Sequence, residues 1–173
     1  MQYIIAIFIL TICLPLAIAG ISMAPWVPTR KQDIERLLNI LELKKGDNFL
    51  EIGCGDARVS KAVASKFNDS IVMGIELAFP MYIAAKIRNI NGPENLRIKL
   101  ANAFKQDFGK YDVIYVYGMP DKMGAKIIPK FLTEAKQGAK LYSYVFSIPE
   151  EYNQGVISHG GENEAKIHVL EKK

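Results

Sequence analysis

From Met1 to Thr29 the chain contains no lysine, arginine, aspartate or glutamate, so every formal charge falls at or after Arg30. Cysteine is nearly absent. Cys13 sits in an apolar run and Cys54 in a glycine-rich turn, a placement that excludes a disulfide framework and a cysteine metal site and is compatible with a reducing compartment. The two histidines, His159 and His168, fall in a glycine-rich turn and an alternating terminal strand, with no ligand set around them. No metal centre is expected. The net charge of +4 is spread along the chain, and no basic stripe interleaved with aromatics occurs, which excludes a nucleic-acid footprint. Internal repeats and low-complexity segments are also missing. What remains, residues 30–173, is long enough to bury one core.

The uncharged segment from Tyr3 to Ala24 has about the ~20 apolar residues a helix needs to cross ~30 Å of hydrocarbon. It predicts a single membrane span, with residues 1–24 as anchor and 25–173 as the folded domain. Ala17-Ile18-Ala19 resembles a signal-peptidase site, but no basic residue precedes the apolar run, which favours a retained span, kinked at Pro15. Arg30 and Lys31 are the first charges after it, so the domain is expected to face the cytoplasm. Pro25 and Pro28 make the connecting stretch a linker that cannot continue a helix.

Beyond the linker, Thr29 with Gln32 three residues on predicts a capping box. Ile34, Leu37, Leu38 and Leu41 supply the apolar stripe of a first helix. Strand and helix patterns then alternate: strands over 48–52, 70–75, 96–100, 113–117 and 139–146, and helices over 57–66, 80–90 and 122–136. The last two strand-like runs, 155–158 and 165–170, are joined too closely for a crossover helix and must form a hairpin. The expected fold is therefore α/β: a doubly wound, mostly parallel, Rossmann-like sheet finished by an antiparallel hairpin, behind an N-terminal transmembrane helix. That finish is associated with class I methyltransferases and not with dinucleotide dehydrogenases.

Phe49-Leu50-Glu51-Ile52-Gly53-Cys54-Gly55-Asp56-Ala57-Arg58 carries the chemistry. An apolar strand stops on an acid, turns through glycines and opens a helix, which presents backbone N–H groups to a nucleotide-like ligand. A dinucleotide site wants a third glycine where Arg58 stands, and Glu51 suits a cationic ligand better than a diphosphate. Both features point to S-adenosylmethionine. Glu76 follows Gly55 by 21 residues, enough for one helix and one strand to return to the same edge, where a carboxylate accepts both ribose hydroxyls. By resemblance to class I methyltransferases, Asn102 stands where many of them carry an acid that contacts the adenine amino group, a departure that its carbonyl oxygen is able to cover by accepting the same bond. The expected cofactor-binding set is Glu51, Gly53, Cys54, Gly55, Asp56, Glu76, Leu77, Asn102 and Ala103.

Three elements occur together and in order: Pro25-Trp26-Val27-Pro28-Thr29, Glu51-Ile52-Gly53-Cys54-Gly55-Asp56-Ala57-Arg58-Val59, and Tyr117-Gly118-Met119-Pro120-Asp121-Lys122-Met123. With them the chain resembles the membrane-anchored lysine methyltransferases of mitochondria, which modify the adenine nucleotide translocase or the ATP synthase c-subunit, and their small bacterial and archaeal relatives. The resemblance implies S-adenosylmethionine as cofactor and a protein lysine at or near a membrane as acceptor. It places Trp26, Pro28, Tyr117 and Pro120 on the substrate side. One departure is Ala78-Phe79-Pro80 after Glu76-Leu77, where relatives tend to carry Leu-Asn-Pro.

A lysine acceptor must react as the neutral amine, which at a reference pKa of ~10.4 is about one molecule in a thousand near pH 7.4. A partly dry, aromatic-lined site lowers that pKa while ring faces still hold the cation. Trp26, Tyr117 and Phe146 are the candidate lining, with Phe146 the one more readily explained as core. Tyr117, at the carboxyl end of the fourth strand, is the candidate catalytic residue, its hydroxyl orienting the amine or accepting its proton. Asp112, at the start of that strand, reads as a strand-entry residue, and Arg58 either as a partner of Glu51 or Asp56 or as a solvated side chain. The alternatives are a small-molecule or lipid-like acceptor, or a non-catalytic cofactor-binding module.

Overall fold

The computed structural model describes residues 27–118, 120–153 and 155–173, together with Tyr3, Ile7, Ile9, Leu10, Thr11 and Cys13. Those six N-terminal residues are helical, but most of the expected membrane span lies outside the described residues. Among the described residues no helix is long and apolar enough to cross a membrane.

The chain runs α1 (Lys31–Ile40), β1 (Asn48–Ile52), α2 (Arg58–Lys66), β2 (Ile71–Glu76), α3 (Phe79–Arg88), β3 (Leu96–Leu100) and β4 (Val113–Val116). An α-helical turn over Pro120–Lys122 and a π-helical segment over Met123–Ile127 then lead into α4 (Ile128–Glu134). After it come β5 (Lys140–Tyr144), β6 (Ile157–His159) and β7 (Ile167–Glu171). The seven strands form one sheet in the order β3-β2-β1-β4-β5-β7-β6. All pairings from β3 to β5 are parallel, while β7 lies antiparallel to both β5 and β6, as the short connection between the last strands requires. The two edges are β3, with Arg97 and Lys99 exposed, and the three-residue β6.

Strand side chains alternate between two cores. On one face Phe49, Val72, Val113, Tyr115 and Tyr142 meet Ile34, Leu37 and Leu41 of the first helical segment and Val59 and Val63 of α2. On the other, Leu50, Ile52, Ile114 and Leu141 meet Met123, Ile127, Ile128 and Phe131. The helix expected over 122–136 is thus not one regular element. A wider π turn over Met123–Ile127 interrupts it, with Met123 and Ile127 both buried, and such turns recur at functional sites.

The expected capping box at Thr29 does not form. The cap position is Arg30, with no side-chain capping bond, and Thr29 is buried with its hydroxyl 3.5 Å from that of Tyr115. A tertiary contact has taken the side chain that local pattern assigned to the helix end.

Asp112 stitches the amino-terminal edge of the sheet, accepting from the Asn48 N–H at 2.8 Å and from Lys136 Nζ at 2.5 Å. Burial opposes its ionisation, but those hydrogen bonds outweigh it and hold the carboxyl below the usual range. Stability from a depressed carboxyl is present above the unfolded value of ~3.9 and is lost as pH falls through the folded one. Asp112→Asn should therefore lower stability by about 1 kcal/mol at pH 7, and the difference should shrink as denaturant melts are moved below pH 4. A pH-independent difference would assign the loss to packing.

Candidate active site

The sheet order reverses between β1 and β4, and open α/β sheets bind ligands at the carboxyl ends of strands flanking such a reversal. Here β1 ends at Ile52 and the chain turns through Gly53 (φ +69°), Gly55 (φ +55°) and Ala57 (φ +58°). Three left-handed residues at alternate positions coil the backbone, and two of its N–H groups, expected to face a ligand, are taken up within the chain: Gly55 N–H by Glu76 at 2.8 Å and Ala57 N–H by the Cys54 carbonyl at 2.7 Å. A Cβ built on Gly53 meets nothing within 4 Å, and Gly53 is exposed, so open space lies directly over the backbone. Below it, Cys54 N–H donates to the Ile75 carbonyl at 2.9 Å. Gly74 makes that approach possible, since a Cβ there would lie 3.0 Å from both Cys54 Sγ and Ser60 Oγ.

Glu76 is buried at the end of β2. Its Oε2 accepts from the Gly55 N–H at 2.8 Å, and its Oε1 accepts from the N–H groups of Leu77 and Ala78, each at 2.8 Å. The carboxylate thus joins the two turns that follow β1 and β2. A carboxylate offers about four acceptor positions, so three backbone bonds still leave room for an incoming hydroxyl.

Glu51 faces α2, where its Oε2 accepts from the Ser60 N–H at 2.8 Å and the Ser60 hydroxyl at 2.5 Å. Burial, the largest influence, pushes its carboxyl up to about 8 against the Ser60 hydrogen bonds, with Asp56 and Glu76 adding repulsion. Burial and the same acids also push the Cys54 thiol well up, which makes it a packing residue and not a nucleophile. Asp56 is buried between two arginines. It pairs with Arg58 (2.8 Å to Nη2 and 3.0 Å to Nε) and with Arg88 at 2.9 Å. Burial opposes its ionisation, but the Arg58 hydrogen bond and both guanidinium charges hold the carboxyl low. Of the two partners weighed for Arg58, Asp56 is the one it takes. Asn102 Oδ1 accepts from the Phe104 N–H at 2.9 Å and caps a short 3₁₀ turn over Ala103–Lys105, so its carbonyl is already engaged locally.

On the side where the acceptor is expected, β4 stops at Val116, one residue before the expected end, and Tyr117 stands half-buried just beyond it. Its ring lies edge-on to Tyr144 (centroids 4.9 Å apart, 80° between planes) and tilted against Phe146 (5.8 Å). Phe146 is half-buried in this group. Val145, just before it, holds φ +71°, a strained value for a β-branched residue. Pro28 is exposed beside the start of α1, and Pro120 opens the turn that follows β4. Trp26 and Met119 lie outside the described residues. Among the described residues no group of three or more potential metal ligands occurs.

Sequence reasoning passed over Ser60, Gly74, Arg88, Asp33 and Tyr144. Ser60 and Asp33 carried a signal, each being a polar residue on the inward stripe of an otherwise apolar helix face. Arg88 and Tyr144 carried none, since their partners lie 32 and 111 positions away.

Strand order, glycine turn and acid together define a class I S-adenosylmethionine-dependent methyltransferase. Among solved structures, an RNA methyltransferase from Salinibacter ruber bound to S-adenosyl-L-homocysteine superposes with TM-score 0.74 at 18% identity, over 84% of this chain and 93% of that one. A precorrin-6y C5,15-methyltransferase from Geobacter metallireducens gives 0.69 at 14%, over 87% and 92%. At those identities the likeness is one of fold. More particularly, the ANTKMT methyltransferase domain matches residues 51–154, and the chain belongs to that family. A protein-lysine N-methyltransferase from Saccharolobus islandicus is 28% identical over 127 residues, 72% of this chain and 78% of its own length. A probable ribosomal RNA small subunit methyltransferase A from Methanosarcina mazei is 26% identical over 116 residues, and the chain spans 41% of its length.

Because the folded state holds the Glu51 proton and the unfolded chain, with a value near ~4.3, does not, stability should fall as pH rises from about 5 to about 8. Glu51→Gln should flatten that slope in thermal melts. Parallel profiles for the two proteins would show that the carboxyl ionises normally.

Proposed function

We propose that this methyltransferase transfers its methyl group to a lysine side chain of a protein at or beside a membrane. The observation that carries the reading is the aromatic group of Tyr117, Tyr144 and Phe146 at the carboxyl ends of β4 and β5, beside the glycine turn. The named activity of the Saccharolobus relative supports it.

When bound, S-adenosylmethionine supplies an electrophilic methyl group on a sulfonium centre, so the protein's contribution is position and approach. Glu76, with one acceptor position left beyond its three backbone bonds, takes a ribose hydroxyl, with Leu77 beside it, and the open space over Gly53 receives the amino-acid portion beside Cys54 and Gly55. Glu51 stands behind that turn. Asn102 and Ala103 flank the adenine position, where the Asn102 amide retains its N–H donors. Asp56 supports the turn through Arg58 and Arg88. Around the acceptor, ring faces hold an ammonium by cation–π attraction while partial burial disfavours the charged form, so the amine loses its proton more readily. Tyr117 orients that amine through its hydroxyl, with Pro28 on the side of the approach. The charge-free segment from Met1 to Thr29 supports residues 1–24 as a membrane anchor, and Arg30 and Lys31 support a cytoplasmic domain.

Membranes from cells lacking the protein, incubated with the full chain and methyl-labelled cofactor, should acquire label on lysine. Label in the lipid or nucleic-acid fraction instead would overturn the reading. Glu76→Gln should weaken S-adenosylhomocysteine binding by tenfold or more, roughly 1.4 kcal/mol, measured by calorimetry on protein shown to be folded. Affinity within threefold of the parent would place the ribose elsewhere. Tyr117→Phe should leave that affinity unchanged and slow methyl transfer on the order of tenfold, and the parent rate should rise with pH as the bound amine is deprotonated. A flat profile from pH 6 to 9 with fully active Tyr117→Phe would argue against an amine acceptor.

A further inference from the structure

Outside the glycine turn, the most deeply buried carboxylate is Asp33, 2% exposed near the start of α1. A buried carboxylate persists only with partners, and Asp33 has two close ones. Its Oδ1 accepts from Arg36 Nη1 at 2.7 Å, and its Oδ2 accepts from the Tyr144 hydroxyl at 2.8 Å. The second bond spans 111 residues and ends on the ring that stands edge-on to Tyr117. Close by, the Thr29 hydroxyl lies 3.5 Å from the Tyr115 hydroxyl, and Arg58 Nη1 lies 3.4 Å from the Thr29 carbonyl. The start of α1 is thereby fastened to β4, β5 and the glycine turn at once.

We infer that Asp33 is a positioning residue for the acceptor: by fixing the Tyr144 hydroxyl it sets the ring against which Tyr117 stands, and so couples the start of α1 to the methyl-accepting side of the site. This rests on the lysine reading above. The Tyr144 phenol, held as a donor to a carboxylate, keeps its proton and fixes orientation without taking part in proton transfer. Asp33 reaches no reacting atom itself. An edge-to-face pair has a preferred angle, so freeing one ring lets the other rotate, and a cation held over a ring face feels that rotation directly.

The test uses the full-length chain in detergent, saturated with S-adenosylhomocysteine, with ring-labelled tyrosine resonances assigned by single Tyr→Phe changes and n-butylammonium as the lysine side-chain probe. Tyr144→Phe keeps the ring and removes the bond. It should shift the Tyr117 resonance and weaken the probe at least fivefold, leaving S-adenosylhomocysteine affinity within twofold. Asp33→Asn should do the same, and the double variant should be no weaker than the weaker single, because both break one connection. Glu164→Gln removes a different Arg36 partner, 3.3 Å away, and should change neither readout. An unmoved Tyr117 resonance with unchanged probe affinity in Tyr144→Phe would overturn the inference, as would a parallel loss of cofactor-product affinity. A parent protein that ignores n-butylammonium would count against the lysine reading alone, since the Tyr117 resonance still decides whether Asp33 sets that ring. Should Asp33→Asn fail to fold, Tyr144→Phe carries the comparison.

Discussion

One buried carboxylate holds the cofactor end of this molecule in shape. Glu76 accepts hydrogen bonds from Gly55, Leu77 and Ala78, and so ties the turn after β1 to the turn after β2. Charge-assisted bonds of this kind are among the stronger ones in proteins, and here they organise backbone that left-handed residues leave otherwise unconstrained. Cys54 N–H on the Ile75 carbonyl and Ser60 on Glu51 continue the same construction inward, from turn to strand and from strand to helix. The glycine turn is thus held by the chain's own hydrogen bonds.

Three acids crowd this corner, and each is accommodated differently. Asp56 keeps its charge because two guanidinium groups face it. Glu76 is surrounded by backbone donors. Glu51, with a single serine for a partner and burial against it, holds its proton to about pH 8. Burial is the main cause of that retained proton, and the nearness of two other acids adds to it.

Much of this was legible in the sequence. Period-two apolar runs located all seven strands to within two residues, and the short link before the last strand dictated the antiparallel insertion. The spacing from Gly55 to Glu76 placed the acid against the turn, because one helix and one strand fit that interval. What failed were local rules overruled by distant partners. Thr29 looks like a helix cap until Tyr115, 86 positions away, takes its hydroxyl. Arg88 reaches Asp56 from 32 positions away with no local pattern to announce it. Asp33 and Tyr144 have no sequence relation that would reveal their bond, and a π turn at Met123 is indistinguishable by periodicity from an ordinary helix. The N-terminal segment stands apart, since its charge-free composition carries the anchoring reading by itself.

The sheet's two margins have a consequence for how the molecule behaves in company. A long, flat, apolar margin invites pairing with a second chain, and a protein that also carries an uncharged amino terminus would then have two routes to self-association. Here β3 presents Arg97 and Lys99 along one side, and β6 closes the other after only three residues, its neighbour β7 being paired on both flanks. Strand-to-strand recruitment is discouraged at both ends. Copies of this domain meeting edge to edge would face like charges at the β3 margin and only a three-residue strand at the other.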